Sequence, residues 1–319
     1  MEQAVIRLLR GCSESDIHKS NILVWKDCSD SFERYINRGI RLSGYDCVEV
    51  DCNRISRYSL FQRQWVLIKY ILSHKRLLGE YDRIIVFDRH KDILVLSLLL
   101  RNSKKLKLEL WLWNLLDNRT EMRRTHILNK KRNIRVWTFD AGDAIRFNIL
   151  HNSQFHVFRR DYQIKYQEDD GSVFFVGRNK GRNEMIDEIK HWLDKFRIPY
   201  DIKIIEDSNG RETKNQLVEY EKTLDRVKKC HCVLDIVQDN QIGLTMRTME
   251  AVYFNKRIIS NNKLLINELF YDEKNIFIIG VNDFSDFESW YNAGNITYSD
   301  KAKGYYSFSR WIKRFDVPI

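Results

Sequence analysis

Proline is nearly missing, two residues in 319, which excludes a proline-rich linker between parts of the chain. Cysteine is sparse as well: Cys12, Cys28, Cys47, Cys52, Cys230 and Cys232 are the six present. Six scattered thiols in a chain of this length do not make a disulfide scaffold, and they fit a reducing compartment. The closest pair, Cys230 and Cys232 around His231, lacks a second CxxC or HxxxH group that would complete a metal site. CHCVLDIV reads instead as the start of a buried strand. No apolar run approaches the roughly 18 residues that span a bilayer. The opening MEQAVIRLLRGCSESD carries acids and has no apolar core of the signal-peptide kind, so a cytoplasmic chain is expected. There is no GxSxG, HExxH, CxxC pair, Walker A or GxGxxG, so serine hydrolase, zincin, zinc finger, P-loop and dinucleotide readings lose their footing. No internal repeat or low-complexity tract is seen.

What is there is a long, well-furnished globular sequence. Hydrophobic residues make up 43%, enough for a core in each of two ordinary domains. Lys and Arg exceed Asp and Glu by 54 to 44, a formal charge of +10, and the isoelectric point is near 9.2. Such a balance implies an anionic partner: nucleic acid, membrane headgroups or a phosphorylated small molecule.

Short β-rich runs alternate with helical patterns along most of the chain. NILVWKD, CVEVDC, RIIVFD, LKLELWLWN and IRVWTFD read as strands, with SLFQRQWVLIKYILSHKRLL and HKDILVLSLLLRNSKK as helices between them. This alternation predicts right-handed βαβ units and a parallel sheet covered on both faces. The pattern pauses in a polar stretch near residues 158–171, which sets a domain boundary at about 160/161. It then resumes with SVFFVGRNKGR, the helix EMIDEIKHWLDKF, DIKII, a helix ending at KKC, HCVLDIV, a helix around MRTMEAVYF, KRIIS and NIFIIG. GYYSFSRWIKRF reads as an amphipathic C-terminal helix able to pack on either domain. The predicted fold is therefore α/β, two Rossmann-like parallel-sheet domains over residues 1–160 and 161–319. Ligands of open α/β sheets bind beyond the carboxyl ends of the strands, which places the expected site in a cleft between the two.

Three segments suggest chemistry. In FFVGRNKGR a strand runs into Gly177, where backbone approaches a ligand closely, and Arg178, Lys180 and Arg182 precede a helix N-terminus, a combination suited to a diphosphate. The plain alternative is an exposed basic turn. In GLTMRTMEAVYFNKRIIS, Arg247 and Glu250 lie three apart at the head of a helix. Arginine suits a phosphate and a fixed carboxylate accepts both hydroxyls of a ribose diol, while a simple surface ion pair explains the same spacing. In VWTFDAGDAIRFN, Asp140 and Asp143 follow a first-domain strand, as a general base or as the cap of the next helix. Asp88 and His90 end another strand of that domain in VFDRHKD, with His90 a reserve base or a solvated loop residue. The EVD of Glu49 to Asp51 only loosely imitates a metal-binding DxD.

Together these segments resemble the GT-B glycosyltransferases, and WTFDAGDAIRFN, VGRNKGR, VLDIVQDNQIGLTMRTMEA and NIFII look like small bacterial lipopolysaccharide and capsule transferases. The matches are spaced over residues 134–285; the first 130 residues share only the alternation. The resemblance implies a donor site in the C-terminal domain. Glu250 would hold the ribose, Arg178 and Lys180 beside Gly177 the diphosphate, and the loop of Gly243, Leu244 and Thr245 the sugar or phosphate through backbone amides. Arg247 would assist the departing phosphates. It also implies no cofactor and no bound metal, because cations and a helix N-terminus meet the charge of the leaving nucleoside diphosphate. The base for the acceptor hydroxyl would be Asp140, Asp143 or His90. One departure concerns position 242: the retaining pattern of two glutamates calls for an acid there, and the chain has Ile242.

The implied partners are a nucleotide-sugar and a saccharide acceptor, lipid-linked at the inner face of a membrane. Arg54, Arg57, Arg63, Lys69, Lys75 and Arg76, interleaved with Tyr58, Phe61, Trp65 and Tyr70, offer a basic and aromatic surface for headgroups, or simply a solvated helix. A non-catalytic nucleic-acid binder is the competing reading; no RNP, KH or helix-turn-helix signature supports it. A nucleotide-sugar epimerase or dehydrogenase needs a glycine fingerprint after the first strand, where the chain has CSDSFERY.

Overall fold

Apolar runs bounded by polar residues become the strands of two sheets, in a computed structural model that describes residues 6–8, 20–158, 168–205 and 219–316. The chain divides into two units between Asn152 and Ser153, several residues ahead of the boundary read from polarity. The strands of the first unit are β1 (Ile6–Leu8), β2 (Ile22–Asp27), β3 (Asp46–Val50), β4 (Arg83–Phe87), β5 (Lys107–Leu112), β6 (Ile134–Thr138) and β7 (Leu150–His151). They line up as β1-β3-β2-β4-β5-β6-β7, parallel throughout except for β1, which runs antiparallel to β3 at the edge. Leu23, Val24 and Trp25 are buried in succession, as are Ile84, Ile85 and Val86. Continuous burial is what a parallel strand covered on both faces requires.

Strand order fixes where a ligand can sit. The chain passes from β2 outward to β3, returns to β4 on the other side of β2, and continues outward to β7. The switch between β2 and β4 opens a crevice at their carboxyl ends, flanked by Asp27 and by Asp88, the residue after β4. The second unit repeats the plan with β8 (Val173–Arg178), β9 (Tyr200–Ile205), β10 (Cys232–Asp235), β11 (Arg257–Ser260) and β12 (Ile276–Ile278), ordered β12-β11-β10-β8-β9 and all parallel. Here the switch falls between β8 and β10, bracketed by Gly177 and Arg178 on one side and Asp235 on the other.

Two helical expectations are corrected. The run read as one helix over SLFQRQWVLIKYILSHKRLL is two, Leu60–Ser73 and Lys75–Glu80. At the break Ser73 Oγ and His74 Nδ1 both engage the Tyr70 carbonyl at 2.9 Å, beside the His74 backbone N–H at 3.1 Å, side-chain bonds to the backbone that compete with the helix. GYYSFSRWIKRF is not one amphipathic helix either; it divides among helices Asp300–Tyr305 and Phe308–Trp311 and a 3-10 turn Ile312–Asp316. Extended His156 pairs with this segment, its N–H donating to Tyr306 O and its carbonyl accepting from Phe308 N, both at 2.8 Å. Trp311 stacks 4.5 Å from Phe155, so the C-terminal segment packs on residues 153–158 of its own unit.

Candidate functional site

The residues at the switch of the second sheet are organised around one buried carboxylate. Asp235 ends β10 fully buried, and its Oδ1 accepts from Thr245 Oγ1 at 2.7 Å and Arg247 Nε at 3.2 Å, while Oδ2 accepts from Thr248 Oγ1 at 2.5 Å. Thr245 is also the N-cap of helix Met246–Tyr253, its hydroxyl accepting from Thr248 N. The capping threonine and the first helical turn are thus fastened to the end of the strand. Asp235 was not singled out in the sequence; the signal available was an acid ending the apolar run VLD.

Arg247 is held rather than waving. Besides Asp235 it donates to Ile236 O at 3.3 Å and lies 4.9 Å over the Phe175 ring. It does not pair with Glu250, so the surface ion pair suggested by their spacing does not form. A Cβ at Gly177 would come within 3.2 Å of the Arg247 guanidinium and 3.0 Å of the Phe175 ring. Glycine at 177 is what lets this arginine lie against the end of β8. Arg178 and Lys180 follow, both exposed, and Lys180 takes a left-handed conformation with φ of 44°. Arg182, the third cation of the motif, is turned inward: its Nη1 donates to Ile236 O at 2.8 Å.

Glu250 lies on the same helix as Arg247 but is buried, and its Oε1 accepts from Tyr220 Oη at 2.7 Å. Burial raises its pKa to about 7, against the opposing pull of the Tyr220 hydrogen bond and Arg247; Asp235 adds to the rise. The native carboxyl therefore binds its proton more tightly than the unfolded one, and its contribution to stability falls as pH rises from about 4.5 through 7. Glu250→Gln keeps the acceptor for Tyr220 and removes the ionisation. We expect it to stabilise the unliganded protein by on the order of 1–3 kcal/mol at pH 8 and not at all below pH 4.5, measured by denaturant unfolding at both pH values. An equal effect at the two would refute the burial argument. Leu244 and Gly243 are buried in the loop leading to Thr245, with the Gly243 carbonyl accepting from Gln241 Nε2 at 3.3 Å. Ile242 O accepts from Asn262 Nδ2.

The first-unit candidates separate by accessibility. Asp140 is buried and caps helix Ala141–Phe147, accepting from Asp143 N at 2.9 Å. Asp143 is buried too, and its Oδ2 accepts from Leu116 N at 2.8 Å; burial raises its pKa. His90 is no loop residue: it begins helix His90–Leu99, is buried, and its Nε2 meets Thr125 Oγ1 at 2.8 Å. Burial, helped by Arg124, lowers its pKa to about 4. Glu49 and Asp51 serve locally, Glu49 in an ion pair with Arg41 at 2.5 Å and Asp51 as the cap of helix Cys52–Ile55.

Asp88 stands apart. It is partly exposed at the switch of the first sheet and has a φ of 54°. Trp113 N and Asn114 Nδ2 donate to its two oxygens at 2.8 and 3.0 Å. Beneath lies Lys26, buried, paired with Glu33 and 4.5 Å from the Trp113 ring. Burial raises the Asp88 pKa to about 6, with the Trp113 hydrogen bond and Lys26 opposing and Glu121 assisting; burial likewise lowers Lys26 to about 8.

Two tandem α/β units, each with its switch-point crevice, define the GT-B architecture. Among solved structures the chain is similar to a sucrose-phosphate synthase from Thermosynechococcus elongatus, with a TM-score of 0.52 at 9% identity over 84% of this chain and 88% of that one. It also matches Anabaena HepE in complex with UDP-glucose, at 11% identity and a TM-score of 0.46 over 85% and 88% of the two chains. The likeness is one of fold. No family model and no curated protein matches the sequence. Among the described residues no helix is long and apolar enough to cross a membrane.

Proposed function

We propose that this protein is a glycosyltransferase that moves a sugar from a nucleotide-sugar to a lipid-linked saccharide of a surface polysaccharide, working at the cytoplasmic face of a membrane. The observation that carries the reading is the meeting, at one switch point of a GT-B fold, of Gly177, Arg178, an Asp235-braced Arg247 and a buried Glu250. Arg178 and Lys180 meet the diphosphate. Arg247, already oriented by Asp235, needs little rearrangement to stabilise charge developing on the leaving phosphate. Glu250 reads the ribose diol once ionised, and the amides after Gly243, at the head of helix Met246–Tyr253, add positive potential. These groups supply the charge stabilisation of the leaving nucleoside diphosphate, so the reading is of metal-independent transfer without a cofactor.

On the acceptor side the reading favours Asp88 over Asp140, Asp143 and His90. Asp88 is partly exposed at the first unit's crevice, its oxygens accepting from Trp113 N and Asn114 Nδ2, whereas the other three are buried and committed to a cap, a backbone amide and a threonine. With a pKa near 6 it is ionised at neutral pH and basic enough to take a hydroxyl proton.

A thermal-shift screen against UDP, GDP, CMP and dTDP and their sugars, repeated on Glu250→Ala, tests the donor site. We expect at least one nucleotide to raise Tm and the variant to lose most of that rise. No shift with any nucleotide would remove the donor assignment; a shift that survives the substitution would remove the role of Glu250.

A further inference from the structure

Helix Leu60–Ser73 has two different faces. Leu67 and Ile71 are buried in the core of the first unit, with Val66 and Tyr70 packed against them. On the opposite side Phe61, Trp65 and Leu72 follow at spacings of four and seven residues, standing 79%, 60% and 50% exposed. These spacings put them on one stripe. Several large apolar side chains on one solvent-facing stripe mark a contact surface.

The charge around the stripe has one sign. Residues 52–79 hold six cations, Arg54, Arg57, Arg63, Lys69, Lys75 and Arg76, and neither Asp nor Glu. The acids that close the stretch, Asp51 and Glu80, each face an arginine within it, Arg54 and Arg76. All the cations except Arg63 are exposed. Beside the helix lies a cavity of about 190 Å³, lined by Leu60, Arg63 and Leu67 of the helix together with Arg89 and Lys91. Its one acid, Asp92, is taken up by Arg89 and by Trp25 Nε1.

A second copy of the chain would bring the same positive charge against this face. An acidic protein would satisfy the cations and leave the aromatic stripe unexplained. An anionic bilayer answers both, because an in-plane helix inserts apolar side chains at the headgroup boundary while flanking Lys and Arg meet lipid phosphates. We propose that helix Leu60–Ser73 is an in-plane anchor on an anionic lipid bilayer, with Phe61, Trp65 and Leu72 inserted, Arg57, Lys69 and Lys75 among the headgroups, and the adjoining cationic cavity receiving a lipid phosphate. This rests on, and deepens, the reading of a lipid-linked acceptor by naming the surface that meets the lipid.

The test is co-sedimentation of the full chain with vesicles of phosphatidylcholine alone and of phosphatidylcholine mixed with phosphatidylglycerol, at low and high salt. Two variants change only exposed side chains, Phe61→Ser with Trp65→Ser, and Lys69→Glu with Lys75→Glu, and their melting curves report that the fold is kept. Binding is expected to the mixed vesicles and to weaken at high salt. Each charge reversal should lower it about fivefold or more, and the serine pair about tenfold or more. No binding to mixed vesicles, equal binding to both kinds, or undiminished binding by both variants would overturn the anchor. Nucleotide thermal shifts on the same preparation report the donor site separately. A chain that answers nucleotides and ignores vesicles refutes the anchor alone, and the reverse refutes the donor site alone.

Discussion

Asp235→Ala is expected to cost about 2–4 kcal/mol of folding stability, since it strips a half-buried arginine of its counter-charge and two hydroxyls of their acceptor. Asp235 is fully buried, and Arg247, Thr245 and Thr248 all converge on it. The loss has a local consequence as well. Arg247 would keep only the Ile236 carbonyl and the face of Phe175, and the cap of helix Met246–Tyr253 would lose its brace. Nucleotide stabilisation should therefore disappear along with part of the second unit's cooperativity. Denaturant unfolding with Asp235→Asn as a control measures this; asparagine retains one acceptor and should cost distinctly less. A loss under about 1 kcal/mol for the alanine variant would mean that solvent replaces the network without penalty.

Asp88→Asn is expected to reduce sugar transfer by 10²–10⁴-fold, the usual contribution of a positioned general base, while leaving nucleotide thermal shifts unchanged. Asparagine tolerates the left-handed backbone and its Oδ1 still accepts from Trp113 N, so the loss is confined to the charge and to the bond from the exposed Asn114 amide. The pH dependence has a defined sign: the base must be ionised, so wild-type transfer should fall as pH drops through about 6. Lys26 beneath and Glu121 nearby pull that value in opposite directions. Near-normal turnover by the asparagine variant, once a donor and acceptor are in hand, would reassign the base.

The alternation of strands and helices was legible because both faces of each parallel strand are buried, and runs such as ILVW and RIIVF announce themselves without any knowledge of neighbours. The antiparallel edge β1 and the two-residue β7 were not, since three or two residues of strand carry no period to read. At the site, Gly177, Arg178 and the helix bearing Arg247 and Glu250 stood out by residue type. Their partners did not. Nothing local in VLD says that Asp235 receives an arginine twelve positions on, and nothing in the helix says that Glu250 turns inward to a tyrosine thirty residues before it. Burial was not legible either: Asp88, His90, Asp140 and Asp143 all lie just beyond strand ends, and only the packing around them makes three of them buried and leaves Asp88 partly exposed.

The two left-handed residues at the sheet edges, Asp88 after β4 and Lys180 after β8, bear on what these positions are kept for. Glycine at either would relieve backbone strain of on the order of 1 kcal/mol. The chain instead holds a negative side chain at one crevice and a positive one at the other, in conformations that glycine would adopt at no steric cost. A screen for thermostable variants would be drawn to glycine at both positions, and each such gain would remove the charge that its crevice presents to a ligand.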